Sequence, residues 1–233
     1  MDIILTAVRA SSKNLIGNNG EVMRIVALVP AKLNSERIPN KNIQILGDKP
    51  LCQYIFDALK PLDIDIYCMC SDERIVDFLP DWVEYLNRPE HLDTPEATPR
   101  NIVDYFSEVV DYDILVNCHI TAPFLKSSSI ERGMLKVVSG EYDSALSVKR
   151  HQSFFWRGGI PFYDTKNIPR TQDLEVFYEE TGGVYVFSRE TFFSTGSRVG
   201  NKPYFIEVNY IEDIDIDWPE DLEFARKIQS CLS

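Results

Sequence analysis

The stretch that decides the fold runs Ile25-Val-Ala-Leu-Val-Pro-Ala-Lys-Leu-Asn-Ser-Glu-Arg-Ile-Pro-Asn-Lys-Asn42. Its first part is a continuous apolar run up to Pro30, which is typical of a strand buried on both faces of a parallel sheet. Its second part carries cationic and small polar side chains, and Pro39 stiffens the turn. Because open α/β folds bind ligands at the carboxyl ends of their strands, this loop predicts a site for a phosphate chain. The alternative is a solvated basic loop that binds nothing.

The composition indicates a globular chain with one large domain. The sequence has 233 residues, of which 44% are hydrophobic and 26% charged, and its net charge is −12. This charge argues against nucleic acid and anionic membranes as partners, because both bind basic surfaces. The apolar run from Ile3 to Val8 is too short for a signal peptide or a membrane span, so we expect a cytoplasmic protein. The five cysteines lack zinc-type spacing, which predicts reduced, buried thiols.

Strands alternate with helices along most of the chain, which predicts a single Rossmann-like α/β domain. We expect a mostly parallel, twisted sheet with helices on both faces. Residues 9 to 22 are polar, so we interpret residues 1–22 as an N-terminal extension and residues 23–233 as the domain. The extension lacks an apolar period, so we expect that it does not pack against the sheet. Ser128 and Glu131 have the spacing of a capping box, which predicts the start of a helix.

Residues 149–175 interrupt the alternation of strands and helices. The segment fits neither a helix nor a core strand, and such a long excursion from a compact domain is typically functional. Its consecutive aromatic residues Phe154, Phe155 and Trp156 cannot all point into one core. A partner surface would accommodate them. We therefore predict an arm that packs against a second subunit.

The densest group of acidic residues lies near the C-terminus, in the stretch from Asn209 to Leu222. On an extended backbone, Asp213, Asp215 and Asp217 would project from one face, because side chains alternate with a period of two. Such carboxylates suit Mg²⁺, a hard ion that prefers oxygen ligands and substrate phosphates. The alternative is that these acids cap the C-terminal helix.

The order of residues in the opening stretch, Pro-Ala-Lys-x-Asn-Ser-x-Arg-Ile-Pro-x-Lys-Asn, resembles the signature loop of the sugar-acid cytidylyltransferases, the group that includes CMP-sialic acid synthetase. Further similar segments follow in the same order, and the resemblance covers roughly Met23 to Leu232. These segments are Arg88-Pro-Glu-His-Leu92, His119-Ile-Thr-Ala-Pro-Phe-Leu125, Pro169-Arg-Thr-Gln-Asp173, Thr181-Gly-Gly-Val-Tyr-Val186 and Asp215-Ile-Asp-Trp-Pro-Glu-Asp-Leu222. The chain departs from the family pattern at Lys32, Glu36, His119 and Thr181.

The resemblance implies CTP and a sugar acid as substrates, Mg²⁺ as cofactor, and a homodimer in which the 149–175 arm reaches across to the partner. The absence of an Asp in the segment after residue 118 points to the nonulosonic acid branch instead of the Kdo branch. The implied nucleotide-binding residues are Lys32, Asn34, Ser35, Arg37, Lys41 and Arg88. The implied sugar-acid contacts are His119, Thr121, Arg170, Gln172 and Thr181. Asp215 and Asp217 would hold the metal and, together with Lys41, make up the catalytic set.

Two other functions fit the same residues. A glycosyltransferase acting on a nucleotide sugar could use Asp215-Ile-Asp217 as an Asp-x-Asp metal motif. A non-catalytic protein that binds CTP or a nucleotide sugar would explain the departures from the family pattern.

Overall fold

The computed structural model describes residues 9–11, 14–16, 20 and 22–232, and these residues form thirteen strands and five α-helices. The strands are β1 (Arg9–Ser11), β2 (Asn14–Ile16), β3 (Val22–Pro30), β4 (Ile45–Leu46), β5 (Lys49–Pro50), β6 (Asp65–Cys70), β7 (Val83–Asn87), β8 (Ile114–Cys118), β9 (Ser144–His151), β10 (Trp156–Arg157), β11 (Ile160–Pro161), β12 (Phe177–Ser188) and β13 (Pro203–Glu207). The helices are α1 (Leu51–Leu59), α2 (Pro99–Val109), α3 (Ser127–Val138), α4 (Arg189–Thr195) and α5 (Pro219–Leu232). Short 3₁₀ helices span Lys41–Ile43, Lys60–Leu62, Glu73–Phe78, Glu90–Leu92 and Thr171–Asp173.

Nine of these strands form one sheet, whose centre is parallel. Strands β7, β6, β3 and β8 lie side by side and run in the same direction. Next to them, β12 runs antiparallel to both β8 and β9, and β13 pairs parallel with β9. The predicted α/β fold is confirmed. The antiparallel β12 arises because the chain returns from β9 directly to the neighbouring position, without a crossover helix.

The sheet is buried on both faces, which explains the unbroken apolar run of β3. Ile25, Ala27 and Val29 belong to one hydrophobic cluster, and the alternate residues Val26 and Leu28 belong to the other. The first cluster also contains residues of α1, α3 and α5, and the second contains residues of α2 and α4. Helices therefore cover both faces of the sheet, as predicted.

The capping box predicted at Ser128 and Glu131 is wrong. The N-cap of α3 is Lys126, two residues before Ser128, and its side chain makes no capping hydrogen bond. The buried carboxylate of Glu212 accepts hydrogen bonds from the Lys126 backbone N–H, at 3.0 Å, and from the Ser129 hydroxyl, at 2.7 Å. A residue 86 positions away in sequence thus takes the role assigned to a local motif.

The interpretation of residues 1–22 as an extension stays a prediction for most of that segment, of which only residues 9–11, 14–16, 20 and 22 are described. The expectation that this segment does not pack against the sheet is wrong. Strand β2 pairs antiparallel with the start of β3, and Leu15 faces Met23 across the pair. Leu15 is only 8% exposed and belongs to the main hydrophobic cluster.

The predicted arm is shorter at its start than the sequence indicated. Residues 149–151 continue β9 and pair with residues 177–179 of β12, so the excursion comprises residues 152–176. Within it, β10 and β11 form a hairpin closed by Gly158 and Gly159. Both glycines have positive φ, 56° and 83°, a conformation that a two-residue hairpin turn requires and that glycine adopts without strain.

Four cysteines, Cys52, Cys68, Cys70 and Cys118, are buried and Cys231 is exposed, and all five are free thiols. The prediction of reduced, mostly buried cysteines is confirmed. Among the helices of the described residues, none is both long and apolar enough to cross a membrane.

Candidate active site

The loop after β3 is anchored by its apolar side chains, so its polar side chains remain free for a ligand. Leu33 and Ile38 are buried in the main core. The Asn42 side chain donates a 3.0 Å hydrogen bond to the Lys32 carbonyl and ties the two ends of the loop together. Lys32 and Arg37 are consequently left exposed at the carboxyl edge of the sheet.

This loop forms one wall of a cleft of about 450 Å³. The other walls follow the carboxyl ends of β7 and β8. Four cationic and three acidic side chains line the cleft, although the whole chain has a charge of −12. The structure thus brings together nine of the residues singled out by sequence: Lys32, Asn34, Ser35, Arg37, Lys41, Arg88, His119, Thr121 and Asp217.

Asp217 and two cations connect the C-terminal segment to the loop. The Lys41 ammonium, with a side chain only 13% exposed, lies 3.0 Å from the Asp217 carboxylate and donates to the Ile216 carbonyl at 2.7 Å. Arg37 contacts the other carboxylate oxygen at 3.3 Å and lies over the Trp218 ring. Asp217 therefore contacts both cations, and its pair with the mostly buried Lys41 is better shielded from water than its pair with the half-exposed Arg37.

Arg88 has a guanidinium buried next to the cleft, with 4% of its side chain exposed. It pairs with Asp93, which also accepts a hydrogen bond from the Ser71 hydroxyl. The Arg88 Nε has no hydrogen-bond partner within the described part of the chain. A buried donor without a partner costs free energy unless a ligand or water satisfies it. Arg88 therefore has an unused N–H beside the cleft.

The predicted extended row of Asp213, Asp215 and Asp217 is wrong. Residues 208–218 form turns and irregular backbone instead of a strand, because the acidic stretch bends towards the start of α5. Asp213 forms an ion pair with Lys149, outside the cleft. Asp221 accepts backbone N–H groups of residues 217 and 218, so the alternative role as a helix cap is correct for Asp221.

Asp215 lies beside the cleft, where the Thr121 hydroxyl donates a hydrogen bond to it. The Asp215 side chain is partly accessible to water, but the protein around it displaces much of its hydration. This desolvation raises the pKa of its carboxyl group. The hydrogen bond from Thr121 partly opposes this rise, and the negative charge of Asp217 adds to it. The two carboxylates are thus close enough to repel each other; Lys41 offsets part of this repulsion, and a metal cation would relieve more of it.

Asp215 and Asp217 fit a Mg²⁺ ion that takes its remaining ligands from water and substrate. Within the described residues there is no group of three or more acidic, His or Cys side chains that could hold a metal alone. Mg²⁺ is commonly bound by one or two carboxylates together with substrate phosphates. The donor set of the cleft matches this pattern.

His119 lies at the carboxyl end of β8 and lines the cleft. Its Nε2 is 3.2 Å from Arg198, which also donates to the Asn117 side-chain oxygen at 3.1 Å. Burial lowers the pKa of His119 to about 4, and the positive charges of Arg198 and Lys41 contribute to the shift. His119 is therefore a neutral imidazole near pH 7.

Three residues assigned to the sugar acid do not line the cleft of their own chain. Thr181 is buried and its hydroxyl donates to Ser147 at 2.7 Å, so its contact is structural. Arg170 is 73% exposed and pairs with Asp173 in the arm. Gln172 is also exposed on the arm.

Sequence reasoning missed Arg198 and Asn117, which lie behind His119. Arg198 is in the connection between α4 and β13, two elements that the sequence did not predict. Asn117 was treated only as part of a strand. A polar residue in an otherwise apolar strand was the available signal, because buried amides require hydrogen-bond partners.

An α/β sheet with a cationic cleft at the carboxyl ends of its parallel strands defines a class of proteins that bind phosphorylated ligands. The profile of the cytidylyltransferase family matches residues 26–231 of this sequence. The chain therefore belongs to the cytidylyltransferase family.

Individual relatives agree with this assignment. The N-acylneuraminate cytidylyltransferase of Oncorhynchus mykiss is 27% identical over 229 residues, which are 91% of this chain and 52% of the relative. The N-acylneuraminate cytidylyltransferase of Streptococcus agalactiae serotype V is 24% identical over 213 residues, 85% of this chain and 52% of the relative. The chain thus spans about half the length of the curated relatives it matches.

The fold is also found among solved structures. CMP:2-keto-3-deoxy-manno-octonic acid synthetase, solved in complex with CTP, superimposes with a TM-score of 0.68 at 14% identity. The match covers 90% of this chain and 99% of that one.

Proposed function

We propose that this protein transfers CMP from CTP to the anomeric hydroxyl of a sugar acid of the nonulosonic type and releases pyrophosphate. The observation that carries the proposal is the cleft itself, where Lys41 and Arg37 are fixed by Asp217 beside the unsatisfied Nε of Arg88. Membership of the cytidylyltransferase family supports CTP as the nucleotide. The N-acylneuraminate cytidylyltransferases among the relatives support a sialic-type acid as acceptor.

The cationic side chains of the cleft would hold the triphosphate. Lys32, Arg37 and Lys41 would neutralise its charge, and Ser35 would donate a hydrogen bond to a phosphate oxygen. Arg88 would donate a hydrogen bond from its Nε to the phosphate or the base. Asn34 would contact the ribose or the base. Charge-assisted hydrogen bonds of this kind are about twice as strong as those between neutral groups.

In the reaction, the anomeric hydroxyl of the sugar acid releases its proton to water, and its oxygen forms a bond to the α-phosphorus of CTP. The bond from that phosphorus to the oxygen of the departing pyrophosphate breaks. Such a transfer depends on in-line positioning and on charge stabilisation, since the protein has little covalent chemistry to perform. Lys41 is suited to stabilise the departing pyrophosphate, because Asp217 and the Ile216 carbonyl restrict its ammonium to one place.

Asp215 and Asp217 would hold Mg²⁺ at the edge of the cleft. When bound, the ion would neutralise charge that develops on the phosphate oxygens. The repulsion between the two carboxylates supports this role, because it is relieved by a cation.

We further propose that the protein is a homodimer whose arm completes the sugar-acid site of the partner subunit. Exposed aromatic and aliphatic side chains cover the arm and are available for a partner surface: Phe154, Trp156, Ile160, Phe162 and Ile168. Arg170 and Gln172 lie outside the cleft of their own chain. Arg170 could then grip the sugar-acid carboxylate of the other subunit with two parallel hydrogen bonds.

A direct assay tests the proposal. The purified protein is incubated with CTP, Mg²⁺ and a panel of nonulosonic acids, and both pyrophosphate and the CMP-sugar are quantified. We expect pyrophosphate to be released only when CTP and one or more of these acids are present. Little pyrophosphate should be released when UTP or ATP replaces CTP. If no acid yields pyrophosphate with any divalent metal, the proposed reaction is wrong.

A further inference from the structure

Arg198 lies next to His119 at the cleft. Within the described residues, its guanidinium forms no ion pair with a carboxylate. Its guanidinium carbon lies over Tyr185, 3.9 Å from the ring centroid. One nitrogen, Nη1, donates both to Asn117 and to His119. The direct hydrogen bonds of this partly buried arginine go to a histidine and an amide, and Glu180 acts on it only through its charge, so the arrangement calls for a functional explanation.

The strand register brings these groups together. Tyr185 of β12 is paired directly with Asn117 of β8, so their side chains lie on the same face of the sheet. His119 follows Asn117 by two residues, and its backbone N–H is fixed by the Gly183 carbonyl at 3.0 Å. The Asn117 amide nitrogen donates to the Leu28 carbonyl, which turns its oxygen towards Arg198. The three side chains therefore form a fixed support for Arg198.

We propose that Arg198 is a positioning residue that holds His119 in one tautomer, with the ring proton on Nδ1, so that His119 presents an N–H donor to a ligand in the cleft. The identity of that ligand rests on the proposed function, whereas the tautomer does not.

The chemistry of the pair fixes the tautomer. A guanidinium carries only hydrogen-bond donors. The contact of 3.2 Å with Nε2 therefore requires that Nε2 accepts, and it can accept only as the unprotonated nitrogen. The single ring proton then lies on Nδ1, which makes no hydrogen bond to any described residue. Since His119 lines the cleft, this proton is available to an oxygen acceptor of the substrate.

The charges around His119 keep it neutral. The groups that face it are Arg198, Lys41 and the Tyr185 ring, whose centroid is 6.2 Å from that of the imidazole. The Tyr185 hydroxyl donates to Glu180 at 2.9 Å, so the nearest acid on that side is already engaged. Burial and the two cations all favour the uncharged imidazole, whose pKa is lowered to about 4.

Nitrogen-15 NMR of the histidines tests this arrangement without any substrate, and the chain has only three of them. In the native protein, we expect His119 to show the Nδ1–H tautomer and to remain uncharged down to about pH 5. The Arg198→Met variant keeps an apolar stem against Tyr185 but loses the donors and the charge. There, the pKa of His119 should rise towards its usual value and the Nε2–H tautomer should appear. Arg198→Lys should preserve much of the native behaviour, and Arg74→Met, on an exposed arginine, should change nothing.

Kinetics then identify the ligand oxygen. Loss of one neutral hydrogen bond predicts a rise of about 2- to 12-fold in a KM for Arg198→Met. If only the KM for CTP rises, His119 contacts the nucleotide. If only the KM for the sugar acid rises, His119 contacts the acceptor. The affected KM should depend on pH in the variant, with an apparent pKa above the native value of about 4, and be flat above pH 5 in the native protein.

Three results would overturn the proposal. One is an Nε2–H tautomer of His119 in the native protein. Another is an unchanged tautomer and pKa in a folded Arg198→Met variant, or in Arg198→Leu if the first variant does not fold. The third is a fall in kcat with both KM values unaltered. If the protein shows no transfer activity, the NMR result still decides the tautomer, so failure of the proposed reaction and failure of this inference are distinguishable.

Discussion

The position of Asp217 illustrates how single side chains of this cleft are controlled by their neighbours. Its two carboxylate oxygens contact different cations, Lys41 at 3.0 Å and Arg37 at 3.3 Å. Asp213, four residues earlier, is engaged instead by Lys149 on β9. The two acids look equivalent in the sequence, yet only Asp217 lines the cleft.

This difference gives a matched pair of variants. Asp217→Asn should lower turnover with CTP and Mg²⁺ by at least about 100-fold, because it removes a metal ligand and the anchor of two cations. Asp213→Asn serves as the control and should keep turnover within a few-fold of the native rate. Initial rates of pyrophosphate release at saturating CTP measure both. Equal rates for native protein and Asp217→Asn would remove Asp217 from the metal site.

Lys41 should act mainly on nucleotide affinity. Lys41→Ala removes a charge-assisted contact of about 1.5 to 3 kcal/mol. That loss corresponds to a rise of about 10- to 150-fold in the Kd for CTP, measured by titration calorimetry. Lys49→Ala is the control, since Lys49 pairs with Asp57 away from the cleft. An unchanged Kd for Lys41→Ala would place its ammonium outside the triphosphate site.

At the scale of elements, the N-terminus of α3 depends on a distant residue. Glu212 accepts hydrogen bonds from the Lys126 backbone, the Ser129 hydroxyl and the Asn209 amide. Glu212→Ala leaves these donors without a partner, which should cost about 2 kcal/mol and lower Tm by about 4–8 °C. Thermal unfolding followed by circular dichroism measures the shift.

Glu131 provides the control for that experiment, because its spacing in the sequence suggested the cap that the structure assigns to Glu212. Glu131 is exposed, so Glu131→Ala should change the free energy of unfolding by no more than about 0.5 kcal/mol. A larger effect from Glu131→Ala than from Glu212→Ala would restore the capping box.

The pairing of β2 with β3 gives a second prediction for an element. Deletion of residues 1–16 removes Leu15 from the main cluster, and we expect a loss of about 2 kcal/mol and a fall in Tm of about 4–8 °C. Leu15→Ala in the full chain should reproduce most of this loss. Val22→Ala, at a 56% exposed position of β3, should have little effect. If the deletion leaves Tm unchanged, β2 contributes nothing to stability.

At the scale of the whole molecule, the proposed dimer makes the arm the element that joins two sites. Trp156 is 56% exposed on the β10–β11 hairpin, next to Tyr163. If it is an interface anchor, Trp156→Ala should raise the dimer dissociation constant by about 30-fold or more. Activity should fall with it, because each site would lose the partner's arm. Sedimentation velocity over a concentration series, with assays at the same concentrations, measures both.

Two further variants separate the interface from the site. Phe224→Ala alters an aromatic residue on α5 that is equally exposed, 53%, and should leave dimerisation unchanged. Arg170→Ala should leave the dimer intact and raise the KM for the sugar acid more than that for CTP. A fully active monomer at assay concentration would contradict this arrangement.

Much of the fold follows from local patterns. The run from Ile25 to Pro30 is apolar at every position, so it predicted a strand buried on both faces, and β3 has that environment. A helix start near Ser128 was also predicted, and α3 begins at Ser127. By contrast, α4 and β13 were missed because they are short and carry exposed aromatic residues, Phe193 and Phe205, that mask the periodic pattern.

The amino-acid sequence by itself determined the α/β class, the loop from Lys32 to Asn42 and the order of the segments whose resemblance leads to the cytidylyltransferase family. These features depend on residue type and short-range spacing, which the chain displays directly. The tertiary structure alone decided that Glu212 caps α3, that Asp217 and not Asp213 orients Lys41, and that Arg198 supports His119. Each of these contacts joins residues 79 or more positions apart, except the ion pair of Asp213 with Lys149, which spans 64. Such contacts depend on how the strands pair and where the connections cross, and no local pattern encodes that geometry.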